Sequence, residues 1–280
     1  MANQTLPLAP LWQNHDARWK EDCGWDIPAY FTNPEEEYQK LITSAVLIDQ
    51  SYRGKIMVTG NNRITFLNHM LTNDITAIKQ NNSCRALLLS AQGRCLADFR
   101  VFAFNDFLLL DTEPQLSEAS IKLLDKFIIA EDVQLKNVTP NYIHLGIEGP
   151  FAHNVFLKLS KQPFEAISWM TQYVSFSGEN AVALFMKPEN AAKTVEELLQ
   201  QGISLCGHAA LERRRTENKI PRFKKDFDEN WFLNETGLEE TAASETKGCY
   251  PGQEVVARLK TYGGVKRSLW NRGNASDKQA

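Results

Sequence analysis

The stretch from residue 55 to residue 139 constrains the fold most, because short strand patterns and helical patterns alternate along it. Lys55–Thr59 has the composition of a strand closed by a glycine, and Arg63–Leu71 follows with the apolar spacing of a helix. Further strand patterns lie at 86–90, 95–104, 107–111 and 133–138, and a second helical pattern lies at 114–130. This order, β-α-β-β-β-α-β, predicts a split βαβ unit of the ferredoxin-like kind.

A second unit with a similar order of strands and helices begins at Tyr142. Its strand patterns lie at 143–147, 166–170, 173–177 and 181–186, and its helical patterns lie at 150–159 and 188–201. The chain is therefore predicted to be an α+β protein with two such units. The predicted domains are 1–55 with 140–245, an inserted ferredoxin-like domain at 56–139, a motif with a short helix at 246–270, and a disordered tail at 271–280.

Composition indicates an intracellular protein without a resident metal. The cysteines are odd in number, at scattered spacings and without a CxxC pair, which favours a reducing compartment: Cys23, Cys84, Cys95, Cys206 and Cys249. The first residues lack the pattern of a leader, and no apolar run is long enough for a membrane span. We therefore expect a cytoplasmic protein with no membrane partner. A net charge of −3 gives no general attraction to nucleic acid, and the isolated histidines predict no metal site.

The segment KGCYPGQE, residues 247–254, places Cys249 in a turn. A short helix is predicted from Gly252 to Lys260, with Glu254 and Arg258 paired across one turn. The thiol then lies just ahead of a helix N-terminus and two residues from Lys247, and both features favour the reactive thiolate. Nucleophile, transient metal ligand and simple turn filler are three readings that spacing alone does not separate.

Two other features, Asp98 and the basic stretch 212–225, place charged side chains where they can bind a ligand. Asp98 lies on the same face of a strand pattern as its apolar neighbours. Its carboxylate is therefore expected either to accept N–H donors from a heterocycle or to bond a neighbouring turn. The stretch 212–225 holds seven basic residues. Such a run forms either a solvated face or a site for an anionic tail or RNA.

The residues around Cys249 resemble a known signature. KGCYPGQE, followed by Val-Val-Ala-Arg258, is similar to the motif of the folate-binding YgfZ family, accessory factors of iron–sulfur cluster maintenance related to the glycine-cleavage T-protein. Further strings match in order: GWDIP at 24–28, LIDQS at 47–51, LTND at 71–74 and RTENKIP at 215–221. The resemblance covers nearly all of residues 10–270. It implies two α+β units that line a central folate cavity.

The resemblance also implies roles for individual residues. Asp98 stands where the superfamily keeps an acid facing the pterin, and Arg215 where it keeps an arginine near the folate. It implies Cys249 and Lys247 as the reactive residues, and tetrahydrofolate or a derivative as the cofactor. The expected folate-binding residues are Asp98, Arg215, Asn73, Asp74, Gln253, Glu254 and Arg258. The implied partners are folate and iron–sulfur enzymes or cluster-assembly proteins, with no direct contact to nucleic acid.

Departures from the T-protein pattern separate three hypotheses. Arg85 replaces a ring that the T-protein stacks near the pterin, Ala183 replaces a glutamate, and the T-protein lacks a cysteine at position 249. About 13 residues follow Arg267, so the C-terminal β-barrel of both families is expected to be missing or truncated. The preferred hypothesis is a folate-binding accessory protein. The alternatives are a tetrahydrofolate-dependent aminomethyltransferase and a degenerate interaction module that has lost its ligand.

Overall fold

The computed structural model describes residues 2–161, 164–175, 178, 180–263, 265 and 267–269. The predicted disordered tail, residues 271–280, lies outside the described residues. The strands are β1 (Gln4–Thr5), β2 (Arg18–Asp22), β3 (Trp25–Tyr30), β4 (Val46–Asp49), β5 (Gly54–Thr59), β6 (Ser83–Leu89), β7 (Cys95–Ala103), β8 (Leu108–Thr112), β9 (Gln134–Asn137), β10 (Ile143–Glu148), β11 (Ile167–Val174), β12 (Asn180–Met186) and β13 (Ser204–Leu205).

The helices are interspersed among these strands. They are α1 (Ala9–Asn14), α2 (Pro34–Thr43), α3 (Arg63–Met70), α4 (Ser117–Asp125), α5 (Ala152–Lys161), α6 (Pro188–Gln200), α7 (His208–Glu217), α8 (Leu233–Thr236), α9 (Glu239–Ala242) and α10 (Gln253–Arg258). Short 3₁₀ turns occupy Pro114–Leu116 and Thr139–Asn141, and a π-helical turn occupies Leu259–Gly263. Strands and helices are mixed along the chain, as the sequence predicts.

The chain divides into two compact units. The first contains Met1–Lys55, Asn81–Ser83 and Asn137–Ile220, and the second contains Ile56–Gln80, Cys84–Lys136 and Pro221–Ala280. Residues 221–245, which the sequence-based boundaries assign to the first domain, thus group with the second unit by contacts. The division of the chain into functional domains stays a prediction.

The first unit is built on a five-stranded sheet in the order β11-β12-β10-β4-β13. Strand β10 lies in its centre, antiparallel to both β12 and β4, and all six of its residues are buried. Helix α6 packs its Ala191, Val195 and Leu198 into the main core of this unit. Their spacing of three to four residues places them on one face of the helix, which is why the amphipathic pattern predicts it correctly.

The second unit is a five-stranded sheet, β6-β7-β8-β5-β9, with apolar packing on both faces. Ala86 and Leu88 of β6 join a core with helices α3 and α4, whereas Leu87 and Leu89 pack with the segment that follows residue 221. Alternate residues of a strand point to opposite faces, so this sheet is covered on both sides. The segment from Phe223 to Val256 is therefore an integral layer of the second unit.

Two details of the predicted elements are wrong. The helical pattern at 114–130 ends at Asp125, and Phe127 and Ile129 beyond it are 52% and 90% exposed. Apolar spacing was a poor guide there because these side chains are not in the core. The patterns at 166–170 and 173–177 meet in one strand, β11 (Ile167–Val174), which carries a register shift between Ile167 and Trp169. Residues 176 and 177 of the second pattern lie outside the described residues. A shift of this kind breaks the two-residue alternation without ending the strand.

Among the described residues, no helix combines the length and the apolar character that crossing a membrane would require.

Candidate functional site

Cys249 is the exposed member of five free cysteines. Cys95 and Cys206 are buried, and Cys23 and Cys84 are half-buried. Burial raises the pKa of Cys84 to about 12 and raises the pKa values of Cys95 and Cys206 as well. A thiolate is the reactive form of cysteine, so the raised pKa values lower the reactivity of these three thiols. Cys249 is the exposed cysteine.

Lys247 anchors the segment that carries this thiol. Its ammonium donates hydrogen bonds to the carbonyl oxygens of Asn68, Leu71 and Asn73, where helix α3 ends and the next turn begins. Carbonyl oxygens at a helix C-terminus lack partners within the helix, and a cation there is favourable. Because an ammonium has three N–H donors, Lys247 has none left for the Cys249 thiolate. In the structure Lys247 holds the loop, and its predicted role beside the Cys249 thiol stays a prediction.

The electrostatic state of Lys247 reflects this half-buried position. Desolvation lowers its pKa from 10.5 to about 8, against the smaller opposing effect of Asp74. The ammonium also lies 5.1 Å from the centre of the Tyr250 ring. Tyr250 itself is buried in the apolar cluster beneath the loop, so both ends of the turn around Cys249 are fixed.

Gly252 allows the loop to sit close to the β6–β7 turn. Gly252 has φ +79°, and a Cβ there would lie 2.6 Å from the Ser90 carbonyl oxygen and 2.9 Å from the Gly93 Cα. Both the backbone conformation and the contact distance therefore require glycine. Gly248 differs, because nothing lies within 4 Å of a Cβ built on it. The Cys249 side of the turn is open and the Gly252 side is closely packed.

The predicted short helix is present as α10, followed directly by the π-helical turn. Glu254 and Arg258 form the expected pair at 3.2 Å, with side chains 86% and 70% exposed. A pair this exposed contributes little to stability. Among the described residues, no contact of Gln253, Glu254 or Arg258 identifies a ligand. Their assignment to folate binding stays a prediction.

Asp98 is held by an arginine that the sequence analysis noted only as a departure. Arg85 Nε lies 3.0 Å from Asp98 Oδ1 and Arg85 Nη2 lies 2.5 Å from Asp98 Oδ2. The same Nη2 donates to the Pro221 carbonyl oxygen at 2.6 Å. The side chains are only 14% and 9% exposed, so this is a nearly buried bidentate pair. Asp98 is thus on a buried strand position as expected, with its carboxylate bonded inside the protein.

Arg215, the other predicted folate contact, also has an internal partner. Its guanidinium forms a two-point contact with Glu212, at 2.9 Å from Nε and 2.7 Å from Nη2, and donates to the Ile220 carbonyl oxygen. Arg215 is buried. It belongs to the first unit and Asp98 to the second.

The LTND string forms a local turn. Asn73 Nδ2 donates to the carbonyl oxygens of Arg85, at 2.8 Å, and Thr241, at 3.3 Å. Asp74 Oδ1 accepts hydrogen bonds from the Thr76 backbone and hydroxyl, and the bond from that hydroxyl lowers the Asp74 pKa most. These contacts support the structural reading of Asn73 and Asp74, and their role toward folate stays a prediction.

The basic run 212–225 is largely paired with carboxylates. Five of its seven basic residues have such partners: Arg213 with Glu35 and Glu217, Arg214 with Glu217, Arg215 with Glu212, Arg222 with Glu113, and Lys224 with Glu229. The Arg222–Glu113 pair is buried on both sides, at 5% and 3% exposure. These partners neutralise most of the charge, which favours a structural role over a site for a long anionic tail.

Arg85 is the residue whose importance the sequence analysis missed. The available signal was Asp98 itself, because a carboxylate on a buried strand face requires a donor, and Arg85 directly precedes the strand pattern at 86–90. Among the described residues, no group of three or more histidine, cysteine or acidic side chains is arranged to hold a metal ion.

Comparison with known proteins agrees with this architecture. Residues 8–245 match the family described as the GCVT N-terminal domain, so the KGCYPGQE segment lies just beyond the matched part. The chain is 26% identical to the aminomethyltransferase of Geobacillus kaustophilus over 281 residues, which covers 93% of this chain and 77% of that enzyme. It is also 26% identical to a chloroplastic protein of Arabidopsis thaliana described as a transferase, covering 85% of this chain and 58% of that protein.

A solved structure shows the same fold. The glycine cleavage system aminomethyltransferase T from Bartonella henselae superposes with a TM-score of 0.81 at 20% identity, over 92% of this chain and 75% of that one. The mixed α+β architecture predicted from the sequence is therefore that of the T-protein. From the family match over residues 8–245, the chain belongs to the GCVT N-terminal domain family.

Proposed function

We propose that this protein is a tetrahydrofolate-binding accessory protein that supports the assembly or repair of iron–sulfur enzymes and acts through Cys249. The observation that carries the proposal is one exposed cysteine on a loop that is fixed at both ends, by Lys247 on the end of α3 and by Gly252 against the β6–β7 turn. A thiol in such a position is accessible to a large partner without reorganisation of the loop. Five free cysteines support a reducing, cytoplasmic setting.

Folate is proposed as the ligand on the strength of the family fold and of the residue types present. Asp98 would accept the amino and ring N–H donors of a pterin. The contact of Arg215 with a carboxylate of folate is proposed from its residue type alone. Tetrahydrofolate would supply a carrier for one-carbon units. The ion pair with Arg85 limits the contact between a pterin and Asp98, because the pterin must share the carboxylate with a guanidinium that already bonds both oxygens.

The second candidate function is tetrahydrofolate-dependent aminomethyl transfer of the T-protein type. The family match and the aminomethyltransferase relatives favour it at the level of the family. The Arg85–Asp98 pair argues against it, because a carboxylate held by two charge-assisted hydrogen bonds is a poor partner for a reacting amine. Ala183 adds to this argument, since it supplies no carboxylate on β12.

Calorimetric titration with tetrahydrofolate tests the ligand. We expect saturable binding that Asp98→Asn weakens by about 2 kcal/mol, the range for a charge-assisted hydrogen bond left unsatisfied. The matched control is Lys193→Gln, an exposed side chain of α6. Absence of binding by the folded wild-type protein would leave the interaction module as the better description.

An assay of aminomethyl transfer separates the accessory protein from the aminomethyltransferase. The protein is mixed with tetrahydrofolate and an aminomethylated carrier protein, and the formation of methylene-tetrahydrofolate is measured. The accessory role predicts no turnover above the uncatalysed rate. Turnover that survives Cys249→Ala would establish the aminomethyltransferase instead.

A further inference from the structure

Arg85 occupies both oxygens of the carboxylate that is proposed above as the pterin acceptor. Its Nε lies 3.0 Å from Asp98 Oδ1, and its Nη2 lies 2.5 Å from Asp98 Oδ2. The Asp98 side chain is 9% exposed, and the Arg85 side chain, at 14%, is the more exposed member of the pair. A ligand therefore reaches the bonding positions on Asp98 only after the guanidinium has moved.

The two N–H groups that Arg85 presents to Asp98 have the same arrangement as those of a pterin. A guanidinium is a planar N–C–N unit whose parallel N–H donors match the two oxygens of a carboxylate. The ring of a pterin contains the same unit, made of its 2-amino group, C2 and N3–H. The guanidinium is charged and the pterin is not, so Arg85 adds a Coulombic attraction that the pterin lacks. Arg85 thus has the chemistry of an internal competitor for this ligand.

The guanidinium has a second acceptor beside Asp98. Nη2 of Arg85 also donates to the Pro221 carbonyl oxygen at 2.6 Å. Release of the carboxylate therefore does not leave the guanidinium without a partner. The side chain also starts from the less buried part of β6, because residues 83–85 are half-buried whereas residues 86–89 are buried. These contacts allow two positions of the guanidinium, one bonded to Asp98 and Pro221 and the other bonded to Pro221 alone.

We propose that Arg85 is an intramolecular gate at the folate site, which leaves Asp98 before a pterin binds there. The inference rests on the function proposed above, because it takes Asp98 as the pterin acceptor. It goes beyond that function by assigning to Arg85 an effect opposite to that of a binding residue. Only the fraction of molecules with a released Asp98 binds the ligand, so the Arg85–Asp98 pair lowers the affinity of the wild-type protein. Removal of the guanidinium strengthens binding.

Calorimetric titration with 5-formyltetrahydrofolate, a stable reduced folate, tests the gate. Arg85→Gln should bind this probe about tenfold or more tightly than the wild type, because an amide offers one neutral donor in place of the charged fork. Arg85→Lys keeps the charge without the fork and should fall between the two. The matched control is Arg94→Gln, which replaces a half-buried arginine of the same unit that stacks on Phe232, and it should leave the affinity unchanged.

Two further readouts show whether the gate acts through Asp98. The tighter binding of Arg85→Gln should disappear when Asp98→Asn is added, because the carboxylate for which Arg85 competes is then absent. A merely structural role of Arg85 predicts weaker binding in both backgrounds instead. In the wild-type protein, the Nε–H signal of Arg85 in NMR spectra, assigned by its loss in Arg85→Lys, should exchange faster with water when the probe is bound. This second readout keeps the inference testable if Arg85→Gln does not fold.

The outcomes separate the gate from the proposed function. If the wild type binds the probe and Arg85→Gln binds it no more tightly, the gate is refuted while folate binding stands. An Arg85 signal that does not change in the wild-type protein saturated with the probe refutes the gate as well. If neither the wild type nor Arg85→Gln binds the probe, although both are folded, folate binding itself is refuted and the gate falls with it.

Discussion

At the scale of single residues, the structure distinguishes Cys249 from the other cysteines by access and distinguishes Asp98 from an ordinary carboxylate by its partner. Cys249 is exposed because it lies in a turn whose neighbour Gly248 faces open space. Asp98 is tolerated in a buried strand because Arg85 meets both of its oxygens.

The first prediction concerns thiol reactivity. Under brief treatment with iodoacetamide near neutral pH, Cys249 should be alkylated first, Cys23 and Cys84 more slowly, and Cys95 and Cys206 last. The order follows from access, together with the raised pKa values of the buried thiols. Peptide mass spectrometry over a time course measures each rate. Earlier modification of Cys95 or Cys206 in the folded protein would contradict the description of the loop.

The second prediction concerns the Arg85–Asp98 pair. Arg85→Leu should lower the free energy of unfolding by about 3 kcal/mol or more, because it leaves a nearly buried carboxylate without its partner. Urea denaturation measures the effect. The double variant Arg85→Leu with Asp98→Leu removes both charges and should recover part of the loss. Losses that simply add in the double variant would show that the two residues do not act as a pair.

At the scale of elements, the KGCYPGQE turn is defined by what lies on each side of it. The Lys247 ammonium caps helix α3 from a position about 180 residues away in the chain, and Gly252 contacts the β6–β7 turn. Such contacts bring together segments that sequence patterns treat separately. The turn is therefore a product of the tertiary structure.

The third prediction compares the two glycines of the turn. Gly252→Ala should destabilise the protein by about 2 kcal/mol or more, since it combines a positive φ with a Cβ 2.6 Å from a carbonyl oxygen. Gly248→Ala should change stability by less than about 0.5 kcal/mol, as for an ordinary surface substitution. Thermal or urea unfolding of both variants supplies the comparison. Equal losses at the two positions would contradict the packing of the turn.

The fourth prediction is a pH dependence. The pKa of Lys247 is about 8 in the folded protein against 10.5 as the ordinary value, so between these pH values the unfolded chain binds more protons. Stability linked to Lys247 should therefore rise with pH from about 8 to 10.5. The measurement is the free energy of unfolding of the wild type minus that of Lys247→Met, at pH 7, 8, 9 and 10. A difference that stays constant or falls over this range would refute the assignment.

Sequence patterns predicted the elements better than the contacts between them. Strand β5 and helix α6 are predicted because their apolar residues recur with the period of a buried face. Helix α3 is present as predicted, but it buries Phe66, Leu67 and Met70, whereas Ile64 is 38% exposed. The helix predicted to residue 130 is too long, because it ends at Asp125 and Phe127, an apolar residue of the helical pattern, is 52% exposed.

The Lys247 anchor could not be predicted, because it depends on which residues of distant segments lie side by side. The Arg85–Asp98 pair was within reach of the sequence, because a carboxylate on a buried strand face requires a donor and Arg85 directly precedes the neighbouring strand pattern.

At the scale of the whole molecule, the chain consists of two compact α+β units with the fold of the T-protein. The chain spans 58% of the length of its Arabidopsis relative and 77% of the length of the Geobacillus enzyme. The residue that we propose to be functional, Cys249, lies beyond the part that matches the family. A shared fold can host different chemistry, and the activity must be argued from the site.

The most direct test of the account is complementation of a strain that lacks this protein. The activity of an iron–sulfur enzyme is measured in cells that carry the wild type, Cys249→Ala or Gly248→Ala, at equal protein levels. We predict that the wild type and Gly248→Ala restore the enzyme and that Cys249→Ala, although folded, does not. Full restoration by Cys249→Ala would contradict the central claim that the protein acts through this thiol.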